Sequence, residues 1–209
     1  MSRIPALVLL LALAACSAEL PTSSATLRPG AAAASSNDSM EQPNFLEATP
    51  DAPSIANPVI QFWATKGIDR TVRMYYHAAA GRHDSVTFFS IRVRAKSLWR
   101  RPDGSAIANG DSVLITLTLA DTTHLVVDCQ PSGLLFDPKY PATIRLSFAN
   151  ATVDDDGGTT VTTTITQALA IWRHESADSP WLPVASHEIA EANEVEGDIG
   201  GFTGYALAW

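Results

Sequence analysis

From Pro58 to the C-terminus, apolar and polar residues alternate in short runs separated by turn-forming residues. In TVRMYYH, Val72, Met74 and Tyr76 alternate with Thr71, Arg73 and Tyr75. In SVLITLTL, Val113, Ile115, Leu117 and Leu119 alternate with Leu114, Thr116 and Thr118. In SVTFFSIRVRA the alternation is approximate, with Val86, Phe88 (or Phe89), Ile91 and Val93 on one face. VIQFW, HLVVDC, ATIRLSFA, TTTITQALAIW, WLPVAS and GFTGYALAW share the β-branched and aromatic character. A period of two places successive side chains on opposite faces of a strand, so these runs predict β-strands with one buried face. Gly, Pro, Asp and Asn punctuate them at Arg101–Ser105 (RPDGS), Ala108–Ser112 (ANGDS) and Asp154–Gly158 (DDDGG). About eight or nine strands at this spacing predict an all-β fold, an antiparallel sandwich of two sheets over residues 58–209. No internal repeat is present. TITQALAIWRHE has a threonine-rich lead-in that favours a strand over a helix.

The pattern before Pro58 is different. Met1-Ser2-Arg3 is a short positive start, and Ile4 to Leu13 is an apolar run. It is too short to cross a hydrocarbon layer of about 30 Å, which needs roughly 20 residues. Ala14 and Ala15 follow, so residues 1–15 read as an export signal. Residues 16–57, from SAEL through EATPDAPS, are dominated by Ala, Ser, Pro, Thr and Asn without periodic hydrophobicity. Such a stretch buries too little apolar surface to offset its ordering entropy, which predicts a flexible tether. As a coil it spans roughly 30 to 40 Å.

Leu13-Ala14-Ala15-Cys16 resembles the lipobox of bacterial lipoproteins. The resemblance implies that the Cys16 thiol receives a diacylglyceryl group and that the chain is cut just before it. Each buried methylene contributes about 0.8 kcal/mol and a single chain holds only marginally, so several acyl chains are needed for a stable anchor. Ser17 follows where an aspartate would signal retention in the inner membrane of Gram-negative cells, which implies the outer membrane. The expected address is the bacterial cell envelope. With Cys16 alkylated, Cys129 has no partner in the chain and is expected to be a packed, inert thiol. No cationic neighbour in VVDCQP is present to lower its pKa.

Charge narrows the partners. The chain has a formal charge of −8 with 17% charged and 46% hydrophobic residues. An acidic chain lacks the basic stripe that nucleic acid requires, and it is not drawn electrostatically to anionic lipid. The expected partners are the membrane, through the N-terminal lipid, and an envelope protein or glycan, with no nucleic acid and no cofactor.

From Ser112 onward an ordered set of phrases occurs: Pro131-Ser132-Gly133-Leu134-Leu135-Phe136, the Pro-led strand Pro141 to Phe148, Ile171-Trp172 before Trp181-Leu182-Pro183, and Phe202-Thr203 with Tyr205-Ala206. In that order they resemble the ZU-five β-sandwich module of ankyrins, netrin receptors and bacterial surface proteins. Some such domains cleave themselves at a His-Phe-Ser triplet, the histidine assisting the serine. Here the triplet is Gly201-Phe202-Thr203. The hydroxyl is retained and the base is lost, and general-base help is worth about 10²- to 10⁴-fold. The resemblance therefore implies the sandwich without the cleavage.

Other chemistry is thinner. His187-Glu188-Ile189-Ala190-Glu191 has a histidine at i but Glu191 at i+4, so it lacks the zinc-protease ligand pair. It reads as a solvated acidic loop continuing through Glu194, Glu196 and Asp198. Asp154, Asp155 and Asp156 offer clustered carboxylates to Ca²⁺ but no closing bidentate acid follows. His77, His83, His124 and His174 are scattered, and no Gly-x-Ser-x-Gly elbow occurs. Trp99, beside Arg100-Arg101, is the candidate for an exposed aromatic contact. The functional expectation is a non-catalytic binding or structural module, with a self-processing or hydrolytic enzyme and a calcium-stabilised adhesion domain as the alternatives.

Overall fold

The computed structural model describes residues 43–78, 86–153, 159–160, 168–176 and 178–209. Residues 1–42, which include the signal segment and Cys16, lie outside them, as do His83 and Asp154 to Asp156. The strands are β1 (Leu46–Ala48), β2 (Val59–Thr65), β3 (Arg70–Tyr75), β4 (Thr87–Val93), β5 (Leu98–Arg100), β6 (Ser112–Asp121), β7 (Val126–Gln130), β8 (Leu135–Phe136), β9 (Ala142–Ser147), β10 (Ala151–Val153), β11 (Thr159–Thr160), β12 (Ala170–His174), β13 (Leu182–Val184), β14 (Ser186–Ile189), β15 (Glu194–Ile199) and β16 (Gly204–Ala208). Among the described residues one 3-10 turn, Ala190–Ala192, is the only helical element. The fold is an all-β sandwich, as the alternation predicts.

One main sheet has six strands in the order β13-β12-β16-β7-β6-β2, and the other has five in the order β14-β15-β9-β4-β3. All these pairings are antiparallel. Phe62, Ile115, Leu117, Val127, Ile171 and Tyr205 of the first sheet share one buried cluster with Met74, Phe89, Ile91, Ile144, Leu146 and Val195 of the second. Each sheet thus turns one face inward, which is what a period of two in both sets of strands requires. The ambiguity between Phe88 and Phe89 resolves physically. The β3–β4 register shifts between Met74 and Tyr75, and both phenylalanines are buried. Phe88 then packs edge-on against Tyr76, with ring centroids 5.6 Å apart.

Two sequence expectations are corrected. Residues 43–57, assigned to the tether, belong in the folded body. Asn44 and Trp209 exchange backbone hydrogen bonds at 3.3 and 3.1 Å, and Phe45 bridges Ala208. Leu46 is 1% exposed within the core cluster, and Ile55 bridges Tyr76 on the five-stranded side. The segment is too short and too proline-punctuated to show a period, yet it places two apolar side chains where the sandwich has room. The acidic stretch from His187 to Asp198 is likewise two strands rather than a loop. In β15, Val195, Gly197 and Ile199 are buried, while Glu194, Glu196 and Asp198 lie outward and pair in register with Ser147, Arg145 and Thr143 of β9. The frequency of acids hides the alternation. Packing is tight at Gly197, where a Cβ would lie 3.0 Å from Ile171 Cδ1 across the core.

Two outcomes check this architecture. Leu46→Ala should lower the unfolding free energy by about 2–5 kcal/mol in a denaturant titration, as for other large-to-small core changes. An unchanged midpoint would return the segment to the tether. Burial pushes the Tyr76 phenol from 10.0 up to about 12. The folded state holds that proton more tightly than the unfolded chain, so its contribution is complete below the unfolded value and is lost as pH rises through the folded one. Stability should therefore decline between pH 10 and about 12, and Tyr76→Phe should remove part of that decline.

Candidate functional site

The strand registers arrange the outward side chains of the six-stranded sheet in rows. Thr65 pairs with Ser112, and Trp63 pairs with Leu114. Gln61, Thr116 and Gln130 form the next row across β2, β6 and β7. Val59, Thr118, Asp128, Gly204 and His174 form the last, across β2, β6, β7, β16 and β12. These positions face outward because Phe62, Ile115, Leu117 and Cys129, offset by one, face the core. The Thr65 and Ser112 hydroxyls are 2.8 Å apart, and Gln61 Nε2 donates to Thr116 Oγ1 at 3.2 Å. Trp63 is 62% exposed and Leu114 40%. These rows carry no lysine or arginine and one carboxylate, Asp128.

The far end of the last row is a small cleft of about 190 Å³. His174 folds over Gly204 toward Asp128, which is possible only because Gly204 has no side chain. A Cβ there would lie 2.0 Å from His174 Nε2 and 2.9 Å from Asp128 Oδ1. His174 Nδ1 lies 2.9 Å from the Ser176 carbonyl, so Nδ1 carries a proton and donates it. Nε2 is buried with no hydrogen-bond partner and lies 4.0 Å from Asp128 Oδ1. Trp181 stacks on the His174 ring with centroids 4.1 Å apart, and Phe45 meets Trp181 edge-on at 4.8 Å.

The outward face of the five-stranded sheet has the opposite chemistry. Arg73, Ser90, Arg145, Glu196 and His187 form one row, and Thr71, Arg92, Thr143 and Asp198 the next. Arg92 binds Asp69 at 2.8 Å, Arg145 binds Glu196 and Glu194, and Arg94 lies 3.8 Å from Asp198. The Arg92 guanidinium, followed by the Ala95 N–H, holds the Asp69 carboxyl below its ordinary value. Covering such a face strips water from ions, at several kcal/mol each. Covering amides and hydroxyls costs about 1–3 kcal/mol where a new hydrogen bond is not made. The six-stranded face, with its single carboxylate, is thus the less costly of the two to cover.

Of the residues singled out in the sequence, Trp99 is 37% exposed, but the Arg100 guanidinium sits over its ring, 4.7 Å from the centroid. That face of the indole is taken. Gly201 could not hold a base in this backbone, since a Cβ would meet the Leu134 carbonyl oxygen at 2.9 Å. Thr203 is buried, and its Oγ1 has no hydrogen-bond partner. His187 lies in strand β14 with Nε2 3.9 Å from Glu196, so the zinc-protease helix does not form. His124 sits apart, between Asp121 at 2.7 Å and Glu47 at 3.5 Å. Among the described residues no group of three or more His, Cys, Asp or Glu is placed to hold a metal. Cys129 is fully buried and free, and burial raises its thiol pKa. A second cleft, of about 390 Å³, runs from Leu135 past Arg173 and Pro183 to Tyr205, whose hydroxyl donates to the Gly201 carbonyl.

Sequence reasoning missed Trp63 and the convergence of His174 on Asp128. The first was available: in VIQFWAT, an inward Phe62 and Ala64 force Trp63 outward. The second depends on strand order and had no local signal. No family model, curated protein or solved structure matches the chain.

Two measurements test this geometry. Gly204→Ala should destabilise the fold by about 1–3 kcal/mol through overpacking, and His174→Ala in the same chain should recover a measurable part of that loss. Equal costs in both backgrounds would mean that His174 does not lie over Gly204. A thiol-alkylating probe should leave Cys129 unmodified in the native protein and label it after denaturation, read by mass.

Proposed function

We propose that this protein is a lipid-anchored bacterial envelope protein whose β-sandwich is a non-catalytic binding module. The anchor is Cys16, diacylated and N-acylated as the first residue of the mature chain, in the outer membrane. Support for the address is the apolar run and small residues before Cys16, with a tether after it. The sandwich resembles the ZU-five module in the order of its C-terminal phrases. Support for binding over catalysis is the contrast between the two outward faces. One is laced with ion pairs, and the other is hydroxyl- and amide-rich with a single carboxylate, Asp128, and an exposed indole, Trp63, at one end. That contrast is the observation that carries the reading, because the second face offers exposed amides, hydroxyls and an indole with little charge to desolvate.

The address is tested by the intact mass of detergent-extracted protein. The expected species begins at Cys16 and carries the diacylglyceryl and acyl increments, and Cys16→Ser removes them together with membrane retention. A native protein with an unmodified Cys16 thiol would overturn the anchor.

A further inference from the structure

We infer that the outward face of the six-stranded sheet binds an uncharged polysaccharide chain laid across the strands, from Trp63 toward Asp128. The inference rests on the proposed binding module and names its ligand class. Three features of the face select that class. First, its rows hold one carboxylate and no cationic side chain, in a protein with 14 Lys and Arg and 22 Asp and Glu. A polyanion would find no counter-charge there, and a polycation only Asp128. Second, its polar groups are the kind that exchange hydrogen bonds with hydroxyls. Gln61, Thr116 and Gln130 lie side by side in one row, and Asp128 adjoins them in the next. Gln130 accepts from the Ser132 N–H at 2.9 Å through Oε1, which points its amide and leaves Nε2 to donate outward. Third, Trp63 presents a flat apolar surface to solvent beside Leu114. A sugar ring has an apolar C–H face and an equatorial rim of hydroxyls, and it fits an indole set beside an amide and hydroxyl row.

The dimensions agree with a chain rather than a single sugar. Adjacent strands are about 4.8 Å apart and residues along a strand about 3.4 Å, so the diagonal from Trp63 on β2 to Asp128 on β7, across two strand spacings and four residues, spans roughly 17 Å. Beyond Asp128 the row ends in a small cleft that Gln130, Ser132 and His174 also line, with the His174 Nε2 itself buried over Gly204. The face is open rather than enclosed, which suits binding along a polymer.

The test uses the full mature chain in detergent, run through native gels containing dextran, soluble starch, galactomannan or hydroxyethylcellulose, with dextran sulfate as the charged counterpart of dextran. Expected is retardation by at least one neutral polymer, unaffected by added salt. Trp63→Ala should weaken it about tenfold, and Gln61→Ala should weaken it measurably. Both sites are exposed, so unaltered unfolding midpoints would confirm that the variants fold. Three results would overturn the inference: no retardation by any neutral polymer, retardation by dextran sulfate alone that salt abolishes, or a Trp63→Ala variant that loses self-association in sedimentation rather than polysaccharide binding. A photocrosslinker at Leu114 in intact cells separates this from the broader reading. Capture of an envelope protein without polysaccharide retention would remove the glycan and leave the binding module standing.

Discussion

The structure depends on one constraint, that two sheets must hide one face each against the other. Phe62, Ile115 and Tyr205 on one side, and Met74, Ile91 and Val195 on the other, meet in a shared core. A strand shifted by one residue would exchange its whole inward set for its outward set. The same burial that holds the sheets together therefore fixes which side chains point away, and the registers align them into rows. Function on such a scaffold belongs to the outward positions, whose identity is free once the inward positions are satisfied.

The two outward faces have used that freedom differently. The five-stranded sheet interleaves guanidinium groups with carboxylates, and Arg92, Arg94 and Arg145 each lie against an acid on the surface. Exposed pairs of this kind add about 0–1 kcal/mol each to stability, which makes the face a soluble surface more than a structural one. The six-stranded sheet has amides, hydroxyls and an indole in the corresponding positions. Gly204 marks where this second face is specialised. It removes one side chain so that His174 can reach across a strand toward Asp128.

Much of this was legible in the chain. Eight of the nine runs read as strands contain a strand, and the ninth, TTTITQALAIW, does so where its end lies among the described residues, because a buried face imposes a period of two that short windows reveal. β15 was hidden because its outward positions are acidic and its inward set includes Gly197, so hydrophobicity alone gives a weak signal. β1 was hidden because three residues are too few to show a period, and Leu46 is buried by the fold rather than by its own pattern. At the site, Trp63 was readable from its neighbours. Trp99 drew attention through the adjacent arginines, yet one of these, Arg100, covers its ring. The meeting of His174 with Asp128 needs β12, β16 and β7 in that order, which is information held by the whole sheet.

The pairing of Asn44 with Trp209, and of Phe45 with Ala208, has a mechanical consequence. Traction arriving along the chain before Pro43 does not peel a peripheral hairpin. It enters beside β16, which lies between β12 and β7 inside the six-stranded sheet. The load is shared at once with the interior of the molecule, while the edge strand that displays Trp63 stays outside the line of force.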